Sequence, residues 1–188
     1  MRILKSYEGS TIVACIIAFL IALLIAFFTA KQVKSTSTVE FCNSCHEMNP
    51  FYKTWASGKH GVDSMGAVRA RCVDCHLPHD SLANYLKVKT QAGLHDMKAH
   101  AMKKKTAWLE IWKNRGPYVH EAYESGCKEC HKKLVAPGIP SKAFTAHKAY
   151  LVGQTKRTCI DCHHEVGHGD LVTEFREIAA KEKEKGKD

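Results

Sequence analysis

The sequence almost lacks strand signals: apolar and polar residues rarely alternate as a half-buried strand requires. That excludes a sheet-based fold and predicts a mostly α protein. Acidic residues are in deficit, 19 against 28 lysines and arginines, giving a formal net charge of +9. Charge of either sign is missing altogether from Gly9 to Ala30. Proline is missing from Asp80 to Trp112, where Gly93 is the single glycine. Apolar residues there, at Leu82, Tyr85, Leu86, Val88, Met97, Trp108, Leu109 and Trp112, suit a helix with a break near Gly93. Wholesale disorder is excluded by 45% hydrophobic and 25% charged residues. The 188 residues leave room for one modest domain and a short extra segment.

The charge-free run of 22 residues makes about 33 Å of helix, against a hydrocarbon core of about 30 Å. A cleaved signal peptide would have a shorter apolar region and small residues spaced A-x-A. Phe28 stands where a small residue would be needed if cleavage followed Ala30. An uncleaved anchor is therefore expected. Arg2 and Lys5 before it and Lys31 and Lys34 after it leave orientation undecided.

What the chain has in excess is cysteine and histidine, nine and twelve. Eight cysteines form four C-x-x-C-H motifs: Cys42, Cys45, His46; Cys72, Cys75, His76; Cys127, Cys130, His131; Cys159, Cys162, His163. Cys15, in the apolar run, reads as a small apolar residue. C-x-x-C-H is the attachment signature of c-type haem. The two thiols add across the haem vinyl groups, and one helical turn between them places the adjacent histidine under the iron. Zinc sites also use C-x-x-C, but need no histidine after every second cysteine. Cysteines this close rarely form a structural disulfide. Four covalently bound haem c groups are expected. Each brings a charge of roughly −1, so +9 falls to about +5. The basic excess is then not a sign of nucleic acid.

The motifs form a repeat. First cysteines are spaced 30, 55 and 32 residues apart, and a histidine stands 12 residues before the second and fourth motifs, His60 and His147. The lead-ins R-A-R-C-V-D-C-H and T-K-R-T-C-I-D-C-H are alike, and His79 and His168 follow soon after. Two pseudo-two-fold dihaem halves are expected, with spare histidines as distal ligands. Symmetry assigns His168 to the third haem, His60 to the fourth, His147 to the second and His79 to the first. His95, His100, His120 and His164 have no repeat support. The first motif continues C-H-E-M, so either Met48 replaces His46 on the iron or Met48 is core packing. Covalent haem attachment takes place outside the bacterial cytoplasmic membrane. This puts residues 1–8 in the cytoplasm, 9–30 in the membrane, 31–38 in a stalk and 39–170 in a periplasmic tetrahaem domain. Residues 171–188 read as a charged tail.

The run C-N-S-C-H-E-M-N-P-F-Y-K-T-W, then His60, then C-V-D-C-H-L-P resembles the NapC/NirT family of membrane-anchored tetrahaem quinol dehydrogenases. Within that family, C-H-x-M with M-N-P-x-Y-x-T-W is most similar to the small subunits of cytochrome c nitrite reductases. The resemblance implies that Met48 ligates the first haem. It implies a quinol pocket in which Asp96 closes the distal face and Lys89 lines the wall. It implies menaquinol as electron donor, the lipid bilayer as support and a periplasmic multihaem reductase as acceptor. In nitrite reductase small subunits a partner lysine can cap the second haem, whereas this sequence has His147 and His79 available. The alternatives are a quinol dehydrogenase for nitrate or other reductases, and an electron-storage cytochrome without a quinol site.

Overall fold

The computed structural model describes residues 2–102, 108–114 and 122–185. Ten helices run in order among them: α1 (Arg2–Ser35), α2 (Val39–Cys42), α3 (Asn49–Ala56), α4 (Cys72–His76), α5 (Leu82–Ala101), α6 (Trp108–Asn114), α7 (Glu124–Cys130), α8 (Ser141–Leu151), α9 (Cys159–Cys162) and α10 (Leu171–Lys185). A 3-10 turn, His46–Met48, links α2 to α3. The described residues contain no strand, only an isolated bridge between Val62 and Val68.

By length and composition, Ser10–Ser35 of α1 can cross a membrane: its 26 residues make about 39 Å of helix. The helix continues through the first residues of the expected stalk and ends at Ser35. Thr38 then starts α2, its hydroxyl accepting the Phe41 N–H at 3.1 Å. Ser37, between them, is buried and faces the Tyr85 hydroxyl of α5 at 3.2 Å. The haem-motif domain is thus fastened to the end of the apolar helix within two residues of its last turn.

α5 starts at the Ser81 cap, whose hydroxyl accepts the Asn84 N–H at 3.2 Å. It runs unbroken through Gly93, so the expected break does not occur there. A glycine in a helix interior costs about 1 kcal/mol relative to alanine, too little to end a helix among good helix formers.

The apolar core is small: Val39, Trp55, Val73, Leu77, Leu171 and Phe175. Two of these lie beyond residue 170. α10 packs on α3 and α6, with Phe175 only 2% exposed. Phe51 meets Trp108 at 4.7 Å and Phe175 at 5.5 Å between ring centres, both edge to face. Lys53 and Glu174 add an ion pair at 2.6 Å. The stretch read from sequence as a charged tail is therefore, in its first turns, the lid of this core. Apart from Glu174, which pairs with Lys53, the charged residues described on it are exposed, and the two apolar residues four apart carry the packing. Phe175→Ala should cost about 3–5 kcal/mol, measured by denaturant unfolding of the full protein. Lys183→Ala, on the exposed face of α10, should stay within about 0.5 kcal/mol.

Candidate functional site

Three motifs sit on helical turns, as two vinyl-directed thiols require. Cys72 to His76 is α4, Cys127 and Cys130 close α7, and Cys159 and Cys162 bound α9. The shared lead-in has a physical reason. The aspartate inside C-x-D-C-H reaches back to the residue before the motif. Arg71 N–H donates to Asp74 at 2.8 Å, and Thr158 N–H donates to Asp161 at 2.7 Å. Each aspartate satisfies a helix N-terminal N–H that would otherwise be unpaired. The first motif is built differently. Cys42 ends α2, a turn follows, and Cys45 is extended (φ −90°, ψ 129°) before the 3-10 turn.

Each helical motif histidine faces a second histidine. His131 and His60 have ring centres 6.0 Å apart; His76 and His168, and His163 and His147, are both 6.1 Å apart. Two imidazoles on opposite sides of one metal, with bonds of about 2.0–2.1 Å, place their ring centres about 6 Å apart. The far members share a second feature. His60 Nδ1–H donates to the Val166 carbonyl at 3.2 Å, His147 Nδ1–H to Leu134 at 2.7 Å, and His168 Nδ1–H to Phe51 at 3.0 Å. A carbonyl only accepts, so the proton lies on Nδ1 and the Nε2 lone pair is left for a metal. On α8, Phe144 and Leu151 flank His147 at i−3 and i+4 and are exposed. They form an apolar face beside His147, of the kind on which a porphyrin can pack. The residues present fit bis-histidine haem at these three motifs.

The pairing differs from that expected by symmetry. His60 faces the third motif, not the fourth, and His168 faces the second, not the third. His147 faces the fourth rather than the second. Chain spacing sets distance along the sequence, and the turn at Gly61 sets direction. A side chain at Gly61 would overlap the Trp55 carbonyl, so the glycine lets the chain fold back on α3 just after His60. His79 faces no motif histidine: its Nε2–H donates to the Val73 carbonyl at 3.3 Å and its ring meets Tyr85 at 5.9 Å.

Consecutive motifs touch. Cys42 and Cys72 are neighbours: Cys72 draws Cys42 down to about 7 and is itself pushed well above the ordinary thiol range. Cys75 is pushed up to about 11, by burial first and then by Cys127. Tyr123 N–H donates to the Cys75 carbonyl at 2.8 Å. Cys159 N–H, in the fourth motif, donates to Glu124 of α7 at 2.7 Å. Glu124 also accepts from Tyr150 at 3.0 Å and Lys128 at 3.2 Å. The contacts therefore run first to second, second to third, third to fourth.

At the first motif, Glu47 engages two rings: His46 Nδ1 lies 3.3 Å and His100 Nδ1 3.2 Å from its carboxylate. The two rings are 6.2 Å apart. One carboxylate thus reaches the Nδ1 atoms of both rings. Met48 is half-exposed at the end of the 3-10 turn. Lys89 and Asp96, two turns apart on one face of α5, both lie near Cys42. Lys89 Nζ donates to the Thr36 carbonyl at 2.9 Å and to Ser37 at 3.0 Å, at the end of α1. Burial holds its ammonium below the usual lysine range. Asp96 is exposed and touches His95 at 3.3 Å. His120 lies outside the described residues.

The model of the NapC/NirT cytochrome c family, N-terminal region, matches residues 5–173. The chain belongs to that family, a family of c-type cytochromes, and so carries covalently bound haem. TorC of Escherichia coli K12 is 27% identical over 180 residues, which is 91% of this chain and 46% of TorC. NapC of Paracoccus pantotrophus is 30% identical, over 76% of this chain and 62% of NapC. The tetraheme c-type cytochrome CymA of Shewanella oneidensis MR-1 is 26% identical, over 87% of this chain and 92% of CymA. The chain thus spans about half the length of TorC and nearly all of CymA. Among solved structures, the cytochrome c nitrite reductase NrfHA complex bound to the inhibitor HQNO matches with a TM-score of 0.48 and 24% identity. That match covers 80% of this chain and 86% of the matched one.

Sequence reasoning found the candidate distal histidines but not Glu47, Glu124 or the carbonyls that orient the rings. The repeated aspartate was the visible signal for the capped motif turns. Replacing His60, His147 or His168 by alanine should each convert one low-spin haem to high-spin in the electronic and EPR spectra. His79→Ala should leave both spectra as in the parent.

Proposed function

We propose that the chain is a membrane-anchored tetrahaem quinol dehydrogenase that oxidises menaquinol and delivers electrons to a periplasmic multihaem nitrite reductase. The observation that carries this reading is the order of motif contacts. It begins beside the end of the apolar helix, where Lys89 and Cys42 lie, and passes without a gap to the fourth motif. The N-terminus lies in the cytoplasm and the motif domain in the periplasm, where haem is attached.

When bound, the haem irons supply one-electron carriers. The four cysteine pairs hold them. His76, His131 and His163 are the near ligands, and His168, His60 and His147 the far ones. At the first motif Met48 is the ligand, which fits the engagement of His46 with Glu47 and His100. Quinol oxidation releases two protons with its two electrons, so a base must stand beside the electron acceptor. Asp96 is the base, and its exposure gives the proton a way out. An ammonium has three donors. Lys89 spends two on Thr36 and Ser37 and keeps one for a quinol oxygen. Those same two bonds hold the pocket wall at the depth where the apolar helix leaves the bilayer.

One observation favours a second acceptor. His168 opposite His76 gives the second haem its own far ligand, so no lysine from a partner is needed. This suits a reductase that docks and leaves, such as one for nitrate, as well as a permanent nitrite reductase complex. Lys89→Leu or Asp96→Leu should abolish reduction by a menaquinol analogue. Both variants should keep four haems that dithionite reduces. Parent rates with quinol in both would place the site elsewhere.

A further inference from the structure

α4 and α7, which carry the second and third motifs, meet main chain to main chain although 55 residues separate their first cysteines. A Cβ built on Gly126 would overlap the Asp74 carbonyl oxygen, with the carbonyl carbon 3.1 Å and the His79 ring 3.4 Å away. Gly126 is buried. It stands immediately before Cys127, and Asp74 stands between Cys72 and Cys75, so the contact joins the inside of one motif to the edge of the next. Two hydrogen bonds hold the joint. Tyr123 N–H donates to the Cys75 carbonyl at 2.8 Å, and His79 N–H donates to the Ser125 hydroxyl at 2.9 Å. Val73 of α4, and Leu77 and Pro78 just after it, are buried.

Glycine is a poor choice for a seven-residue helix, costing about 1 kcal/mol relative to alanine. Its helical backbone needs no positive φ. What position 126 requires is space: only a residue without Cβ lets the two backbones come this close. The elements at this joint are the ones that carry attachment cysteines, so any change in their separation is passed directly to what those cysteines hold.

We propose that Gly126 is a positioning residue that sets the spacing of the second and third haem sites, and with it the rate at which electrons cross between the two halves. The proposal rests on the haem-relay reading above. A methyl group at position 126 must push α7 off α4, because the obstacle is backbone and cannot rotate away. Electron tunnelling falls steeply with separation, so a shift too small to disturb either attachment turn still slows transfer between them.

The test uses full-length, haem-loaded protein in detergent, comparing the parent with Gly126→Ala and Ser125→Ala. Gly126→Ala should keep four haems by haemochrome assay. Spin–spin coupling between the second and third ferric centres in EPR should weaken. On rapid mixing with a menaquinol analogue, reduction should split into a fast phase of two haems and a phase several-fold slower for the other two. A haem-complete Gly126→Ala protein with parent coupling and a single reduction phase overturns the proposal. Ser125→Ala loses one hydrogen bond while the glycine contact stands, so its coupling should match the parent. A loss of coupling there overturns the assignment to Gly126, and this arm holds even where Gly126→Ala fails to assemble. The EPR arm needs no quinol: changed coupling with no response to quinol sinks the dehydrogenase reading and leaves this one standing.

Discussion

The opposition of a far histidine to each helical C-x-x-C-H turn is the constraint on which the rest of the chain depends. Each far ring is held by a backbone carbonyl, and two of the three carbonyls come from the other end of the sequence. His60 is oriented by Val166 and His168 by Phe51. The exchange is reciprocal. The first half sends His60 to the third motif, and the second half sends His168 to the second motif. Neither half closes its own ligand set, so the pair folds as one body. α10 belongs to the same logic: Phe175 backs Phe51, which accepts from His168 and meets its ring edge on.

The second consequence is energetic. The few apolar side chains buried among the described residues cannot alone offset the chain entropy of a domain this size. The deficit is made up by haem. Phe144 and Leu151, on the His147 face of α8, leave apolar surface exposed beside that ring. The first motif stands outside this scheme, with a turn instead of a helix, a methionine at its end and a carboxylate holding its histidine. It is also the motif nearest the end of α1, through Lys89 and Ser37.

Much of this was legible in the residues. Charge-free length marked the anchor, C-x-x-C-H marked the attachment turns, and missing alternation marked the helical class. The candidate distal histidines could be nominated because two stand 12 residues before a motif. Their destinations could not be read, since equal spacing does not give equal direction once Gly61 turns one chain back and α8 carries the other straight. The break expected at Gly93 failed because one glycine is a small cost in a 20-residue helix with a good cap. The charge of K-E-K-E-K hid the packing role of Leu171 and Phe175 one to three turns earlier. Glu124 was unremarkable in sequence because its partners, Tyr150 and Cys159, are 26 and 35 residues away.

The central claim is that the chain itself supplies both axial histidines at three of its four motifs. Near-infrared magnetic circular dichroism of the oxidised full-length protein, purified without any partner, reads axial ligand pairs directly. The account predicts bis-histidine bands from three haems and a different signature from the first. A second haem that is high-spin, or that becomes low-spin only when a partner is added, would contradict it.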